Sequence, residues 1–385
     1  VALIEENGSP SLKDGKIQVL PGQTINFTYN DLSNAFGASV QKNILVTVAK
    51  TYIAPGGLTS GKTVWNAAGS PYWVGGNITI NSNDTLEIQN GTRVMFRANK
   101  SQEWGQYGDT INVIGTLVAN GLTGDSVYLG PNTSTPNPRE WYGIRVSQYG
   151  NISLKYTKLV NAYYAVSFDY NYAYDTIVNR ISHSLVKSAK TGVDYRNSQS
   201  PSIWLSIDSC KFESAPNDTG SVQLINAWYD WNTYGDSLVI KDNELIVHNG
   251  TVPNSSFTGI QMYGRKYGPG FKQAYILRNR ISADTLVMSS YSRIGIGLDN
   301  FQASFVQNNR IVNFNEGIRA QDDSGSVISG NIFSGNKRHI QVNYGTAPRI
   351  DHNAFSNPPI GGSALWNNGS YDVDARNNYW GGPAT

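Results

Sequence analysis

The chain has 385 residues, with Lys+Arg 30 against Asp+Glu 28 and only 15% charged residues. That balance gives no broad field for steering nucleic acid or anionic lipid. A single cysteine, Cys210, excludes a disulfide framework and a cysteine-based zinc site, and no apolar run is long enough to span a membrane.

Residues 1–61 stand apart from the rest. KIQVLPGQTINFTY and NILVTVAKTYIA alternate as strands do and are separated by DLSNAFGAS. They are expected to form a β-rich cap over the end of a longer structure, or a strand that adds to a neighbouring molecule's edge. Val1–Ile4 and Lys16–Tyr29 are the candidates for that addition. The chain opens on Val1 without a basic, apolar leader, and the expectation drawn from this is a removed signal peptide, with a trimmed start as the other reading.

From residue 62 onward, short β-branched segments alternate with Gly, Asn and Asp, and no stretch shows useful helical periodicity. From residue 155 a repeat is visible. A small or amide residue, one variable residue and a large apolar one recur around Thr157, Ser184, Cys210, Asn243, Asn279, Asn309, Asn331, Asn353 and Asn378. The interval is 22 residues where it is shortest, from Asn309 to Asn331 to Asn353. A second strand recurs within each interval, as at Gly259-Ile260, Gly295-Ile296 and Gly317-Ile318. Two phased strands per period describe a β-solenoid: one turn cannot bury its apolar face, and stacked turns bury it continuously. The recurrent amides predict an Asn ladder at one corner, weak at Thr157, Ser184 and Cys210 and strong from Asn243. Cys210 is then a small corner residue, not a nucleophile.

Particular motifs carry a resemblance. Trp65 and Ser70-Pro71-Tyr72 precede an apolar strand. Thr85, Leu86, Ile88 and Gly91 follow, then Ile111, Val113, Gly115, Leu117, Ala119 and Gly121, then Trp141-Tyr142-Gly143-Ile144. The closing Asn377-Asn378-Tyr379-Trp380-Gly381 belongs with them. This pattern resembles the pectate-lyase-like right-handed parallel β-helix domains of bacterial and archaeal cell-surface proteins. The resemblance covers residues 62–385, which are assigned to one right-handed parallel β-helix. It implies an extracellular setting and leaves the function open.

Insertions are where a solenoid carries function. Four long ones fall at the same corner: 167–175, 194–202, 226–236 and 261–271. Stacked side by side, they offer Tyr170, Tyr172, Tyr195, Arg196, Trp228, Tyr229, Trp231, Tyr234, Tyr263, Arg265 and Tyr267 as a strip for a glycan or a protein partner, with Asp169, Asp194 and Asp230 interleaved. The other reading is that these rings only pack the loops onto the coil. A second pair, 248–257 and 282–293, lies at the opposite corner and reads as surface loops.

Catalytic motifs are sparse. Gln321-Asp322-Asp323 resembles one polygalacturonase-type motif, but its companions are absent and the pair reads as a turn. Asp351-His352 lacks the proline of an epimerase-type motif. Asp372 and Asp374 are the weak candidates for Ca²⁺, and otherwise no cofactor or metal is expected. His183, His248, His339 and His352 show no metal-ligand spacing. Acceptors for N-glycosylation are dense, at Asn26, Asn77, Asn83, Asn90, Asn99, Asn132, Asn151, Asn217, Asn249, Asn254 and Asn368. The expectation is a secreted, N-glycosylated structural or adhesive surface protein. It would self-associate into a filament, sheath or surface layer through its solenoid ends and strand addition. The alternative is a β-helix protein that binds or cleaves polysaccharide through the stacked aromatic loops.

Overall fold

The computed structural model describes strand residues 3–5, 16–18, 24–31 and 40–47, and then residues 51–381. Within the latter, 59, 98–108, 134–137, 148, 170–176, 198–202, 217–219, 230–236, 249–255, 265–273, 285–292, 301–303, 324, 346–347 and 357 lie outside the description. The chain coils as a right-handed parallel β-helix with three parallel sheets running its length. The first sheet has eleven strands, from Lys62–Trp65 to Arg349–Asp351. The second has twelve, from Thr51–Ile53 to Ala354–Phe355, and the third has twelve, from Gly56–Gly57 to Ser363–Asn367. Within the three sheets each inner strand pairs in register with its equivalents one turn before and after, so side chains line up in rows along the axis.

Alternation sets what is inside. In the third sheet Ile225, Ile260, Ile296, Ile318 and Ile340 form one inward row, all fully buried. Three of them, Ile260, Ile296 and Ile318, follow a glycine at a position with no room for a side chain, while Leu224 and His339 precede the other two. At Gly295 a Cβ would lie 2.5 Å from the carbonyl oxygen of Gly317 and 2.7 Å from Cγ2 of Ile311. The recurrent Gly-Ile pair is therefore a packing rule: glycine admits the second sheet's side chain, and isoleucine fills the core beside it. Near the other end, Phe96 and Trp141 stack with centroids 4.1 Å apart.

From Lys155 onward the corner between the first and second sheets is a two-residue turn; in the turns before it the connection is longer. Its first residue is left-handed: φ is +44° at Tyr156, +58° at Asp242, +53° at Arg278, +57° at Asn308 and +54° at His352. Asp351-His352 is thus part of this turn. The next residue forms the ladder. Asn309 Oδ1 accepts from the backbone N and the Nδ2 of Asn279 at 2.9 and 3.0 Å. Its own Nδ2 donates to Asn331 Oδ1 at 3.0 Å and to the carbonyl of Ile276 at 2.8 Å. The same pattern runs from Asn243 to Asn378. Before Asn243 it thins to single links, with the backbone N of Thr157 donating to Ser184 Oγ and that of Ser184 to Cys210 Sγ.

One expectation at the ends is corrected. Coil pairing begins at Thr51, because Thr51–Ile53 pairs with Tyr72–Val74 and Gly56–Gly57 with Ile78–Thr79, so the boundary expected at 61/62 falls inside the coil. The segments expected to add to a neighbour pair within their own chain. Leu3–Glu5 lies parallel to Lys16–Gln18, and Thr24–Asp31 lies antiparallel to Val40–Thr47. At the far end the backbone N–H groups of Ile350, His352 and Phe355 donate to the carbonyls of Asp374, Asn377 and Tyr379, and Trp380 stacks on Phe355 at 4.9 Å.

Candidate functional site on the outer face of the third sheet

The outward rows of the third sheet are polar and yet largely buried. One row reads Arg145, Ser167, Asp194, Asn226, Gln261, Gly297, Arg319 and Gln341. Beside it run Ser147, Asp169, Trp228, Tyr263, Asp299, Gln321 and Asn343, with Arg196 opposite Trp228. A third row carries Thr258, Ile294, Glu316 and Arg338. Strands one turn apart are about 5 Å apart, so each row offers one side chain per step along the axis.

Two charged centres lie on this face. In the first, Asp194 is 2% exposed; its Oδ2 is 2.9 Å from Arg196 Nε, and its Oδ1 accepts from Asn226 Nδ2 at 2.6 Å. Arg145 Nε meets Asp169 Oδ2 at 2.6 Å nearby. In the second, Asp299 is 6% exposed and accepts from Gln261 Nε2 at 3.0 Å and Arg319 Nη2 at 2.8 Å. Glu316 Oε2 lies 4.0 Å from Arg319 Nε. Burial lifts the carboxyls of Asp194, Asp299 and Glu316 above the ordinary range. The opposing pull comes from Arg196 and Asn226 at the first, from Arg319 and Gln261 at the second, and from Arg319 and Arg338 at the third. Between the two centres Trp228, 45% exposed, and Tyr263 meet with ring centroids 5.4 Å apart.

The structure sorts the expected strip. Arg196, Trp228 and Tyr263 stand on this outer face. Tyr195 is corrected: it faces inward, 1% exposed, with its ring edge-on to Phe168 at 5.6 Å, and so is a core residue. Tyr170, Tyr172, Trp231, Tyr234, Arg265, Tyr267 and the side chain of Tyr229 lie outside the described residues. The sequence reading missed Gln261, Asp299, Glu316 and Arg319. The signal was present, because a residue just after an inward Ile must point outward, and Gln261 and Arg319 both follow one.

Among the acceptors, Asn26, Asn77, Asn83 and Asn368 are exposed. The Nδ2 of Asn151 already donates to the carbonyl of Val178 at 2.7 Å, and that of Asn90 donates to Asp125 Oδ2. Asn132 is half-buried; Asn99, Asn217, Asn249 and Asn254 lie outside the described residues. Both carboxylate oxygens of Asp374 are held by Arg376 at 2.8 Å. At the opposite corner His248 sits between Asp284, 2.9 Å from Nδ1, and Glu213, 3.2 Å from Nε2. Asp322 is half-exposed with φ at +49°, and Asp323 is buried.

A family model described as "Right handed beta helix region" matches residues 204–379. Among solved structures, the GH136 lacto-N-biosidase from Eubacterium ramulus is similar at 10% identity and a TM-score of 0.41, over 83% of this chain and 67% of that one. The periplasmic alginate epimerase AlgG is similar at 11% identity and a TM-score of 0.39, over 88% and 85%. No curated protein matches the sequence. Among the described residues no helix is long and apolar enough to cross a membrane.

Proposed function

We propose that this protein is a carbohydrate-active β-helix whose third-sheet outer face receives a polysaccharide laid along the coil axis. One observation carries the reading: Asp194, Asp299 and Glu316, lifted by burial, stand on an outward face laced with Arg196 and Arg319. Burying carboxyls on a surface that apolar side chains could have covered is costly, and such groups cluster where chemistry or recognition needs them. Trp228 and Tyr263 supply ring surface between the two centres, suited to the C–H faces of sugars, while the amides and charged groups match hydroxyls. The strands proposed to add to a neighbour pair within the chain, so the filament reading gains no support from them. An extracellular setting accords with a polysaccharide ligand and with the exposed acceptors Asn77, Asn83 and Asn368.

The test is binding of the purified chain to a panel of neutral and acidic polysaccharides. Wild type is expected to retain at least one of them. Trp228→Ala and Asp194→Asn are each expected to weaken it about tenfold, or about 1.4 kcal/mol. No retention across the panel, or equal retention by both variants, overturns the reading.

A further inference from the structure

Two carboxyls share one guanidinium in the second centre, and they do not share it equally. Arg319 Nη2 lies 2.8 Å from Asp299 Oδ2 and its Nε 3.3 Å from Oδ1. Gln261 Nε2 adds another donor at 3.0 Å, so Asp299 accepts on both oxygens. Glu316 is left with the 4.0 Å approach of Arg319 Nε to its Oε2, and that oxygen is buried with no hydrogen-bond partner. Its neighbours in the row are apolar Ile294 on one side and Arg338 on the other. The guanidinium of Arg338 is turned toward Gln341 Oε1, at 2.6 Å, and over the ring of Trp366. Donors stabilise the ionised form of a carboxyl, and a buried oxygen without one stabilises the neutral form. Where one cation serves two acids, the proton resides on the less well solvated of them, and the pair is divided into an acid and a base.

We propose that Glu316 is the proton donor and Asp299 the carboxylate base of a glycoside-hydrolysing centre. This rests on the reading that the face receives a saccharide. The carboxyl proton of Glu316 passes to the glycosidic oxygen as the bond from that oxygen to the anomeric carbon breaks, its electron pair staying on oxygen. A water oxygen bonds to the anomeric carbon and gives a proton to Asp299. One water is consumed, two hydroxyl-bearing products form, and the proton returns from Asp299 to Glu316 through solvent. Burial lifts both carboxyls, against Arg319 and Arg338 at Glu316 and against Arg319 and Gln261 at Asp299, and Tyr263 stands beside Asp299 in its row.

The experiment compares wild type, Glu316→Gln and Asp299→Asn on the polysaccharides that wild type retains. It measures binding, release of reducing ends against pH, and hydrolysis of an aryl glycoside whose leaving group needs no proton. Glu316→Gln is expected to bind within threefold of wild type, to release reducing ends at least about a hundredfold more slowly, and to recover on the aryl glycoside. Asp299→Asn is expected to be impaired on both substrates. If Glu316→Gln does not fold, Glu316→Asp replaces it and must shift the alkaline limb of the pH profile. If wild type retains no polysaccharide, the binding reading itself fails. Retention without release of reducing ends, or equal losses by Glu316→Gln on both substrates, leaves binding intact and overturns this assignment.

Discussion

Gln261 reaches across Gly297 to donate its amide to Asp299 Oδ2 at 3.0 Å. A Cβ at position 297 would lie 2.4 Å from Gln261 Oε1 and 2.7 Å from its Nε2, so the missing side chain is what lets the amide pass. Gly297→Ala is expected to push the amide aside and strip Asp299 of one donor, at a cost of about 1 kcal/mol. Gln261→Ala removes the obstacle as well as the donor. The double variant should therefore be no less stable than Gln261→Ala alone, a coupling that a double-mutant cycle in urea reads directly. Additive losses would show that position 297 acts in some other way.

The Asn ladder predicts a gradient of sensitivity along the coil. Removing the Asn309 amide takes an acceptor from two buried donors of Asn279, its backbone N–H and its Nδ2. At 1–3 kcal/mol for each, Asn309→Ala should cost about 3 kcal/mol. Ser184→Ala leaves the N–H of Thr157 without its acceptor and should cost about half as much. Native-state hydrogen exchange checks the location as well as the size, since protection should drop at the Asn279 amide in one variant and at the Thr157 amide in the other. Equal global losses with no local signature would contradict a ladder made of independent rungs.

Cys210 occupies a rung. Its Sγ accepts from the backbone N of Ser184 at 3.5 Å, and its own backbone N donates to Asn243 Oδ1 at 2.8 Å. Burial pushes the thiol up to about 12. The folded chain should therefore resist alkylation at pH 8 and become fully reactive on unfolding. Cys210→Ser should leave polysaccharide retention unchanged. Rapid labelling of the folded chain would mean that this corner opens.

The coil was legible in the sequence because its physics repeats. A corner amide returns from Asn243 onward and a Gly-Ile pair at 259, 295 and 317, and repetition separates them from chance. The boundary was misplaced because Thr51–Ile53 and Gly56–Gly57 enter the sheets through backbone pairing and carry none of those side-chain signals. The outer face was harder to see. Asp299, Glu316 and Arg319 are charged residues in alternating strands and look like an ordinary solvated face. Nothing local to them tells that Asp299 is buried and the other two half-buried, because burial is set by what packs around the face. Tyr195 failed for the opposite reason: a tyrosine beside a long insertion looked like loop, and the register of its strand turned it into the core.

Asp323 gives the coil a pH dependence that can be isolated. It is 1% exposed; its Oδ1 accepts from Ser326 Oγ at 2.7 Å, and its Oδ2 has no hydrogen-bond partner. Ser304 Oγ lies 2.7 Å from Ser326 Oγ, which ties the group to the preceding turn. Burial lifts the carboxyl to about 7, against the ordinary aspartate value near 4 in the unfolded chain. Between those values the folded chain holds the extra proton, so stability falls as pH rises from about 4 to about 7 and stays low above that. The loss approaches 4 kcal/mol if nothing relaxes. Asp323→Asn keeps an acceptor for Ser326 and cannot ionise, although its unpaired amide costs about 1–3 kcal/mol at every pH. The absolute difference between the two proteins is therefore not the test. Urea unfolding at pH 5, 6, 7 and 8 should show the variant gaining on wild type up to about pH 7 and then levelling off, because the other buried carboxyls, Asp194, Asp299 and Glu316, titrate in both and cancel. A difference that stays constant from pH 5 to pH 8 would mean that Asp323 is ionised throughout.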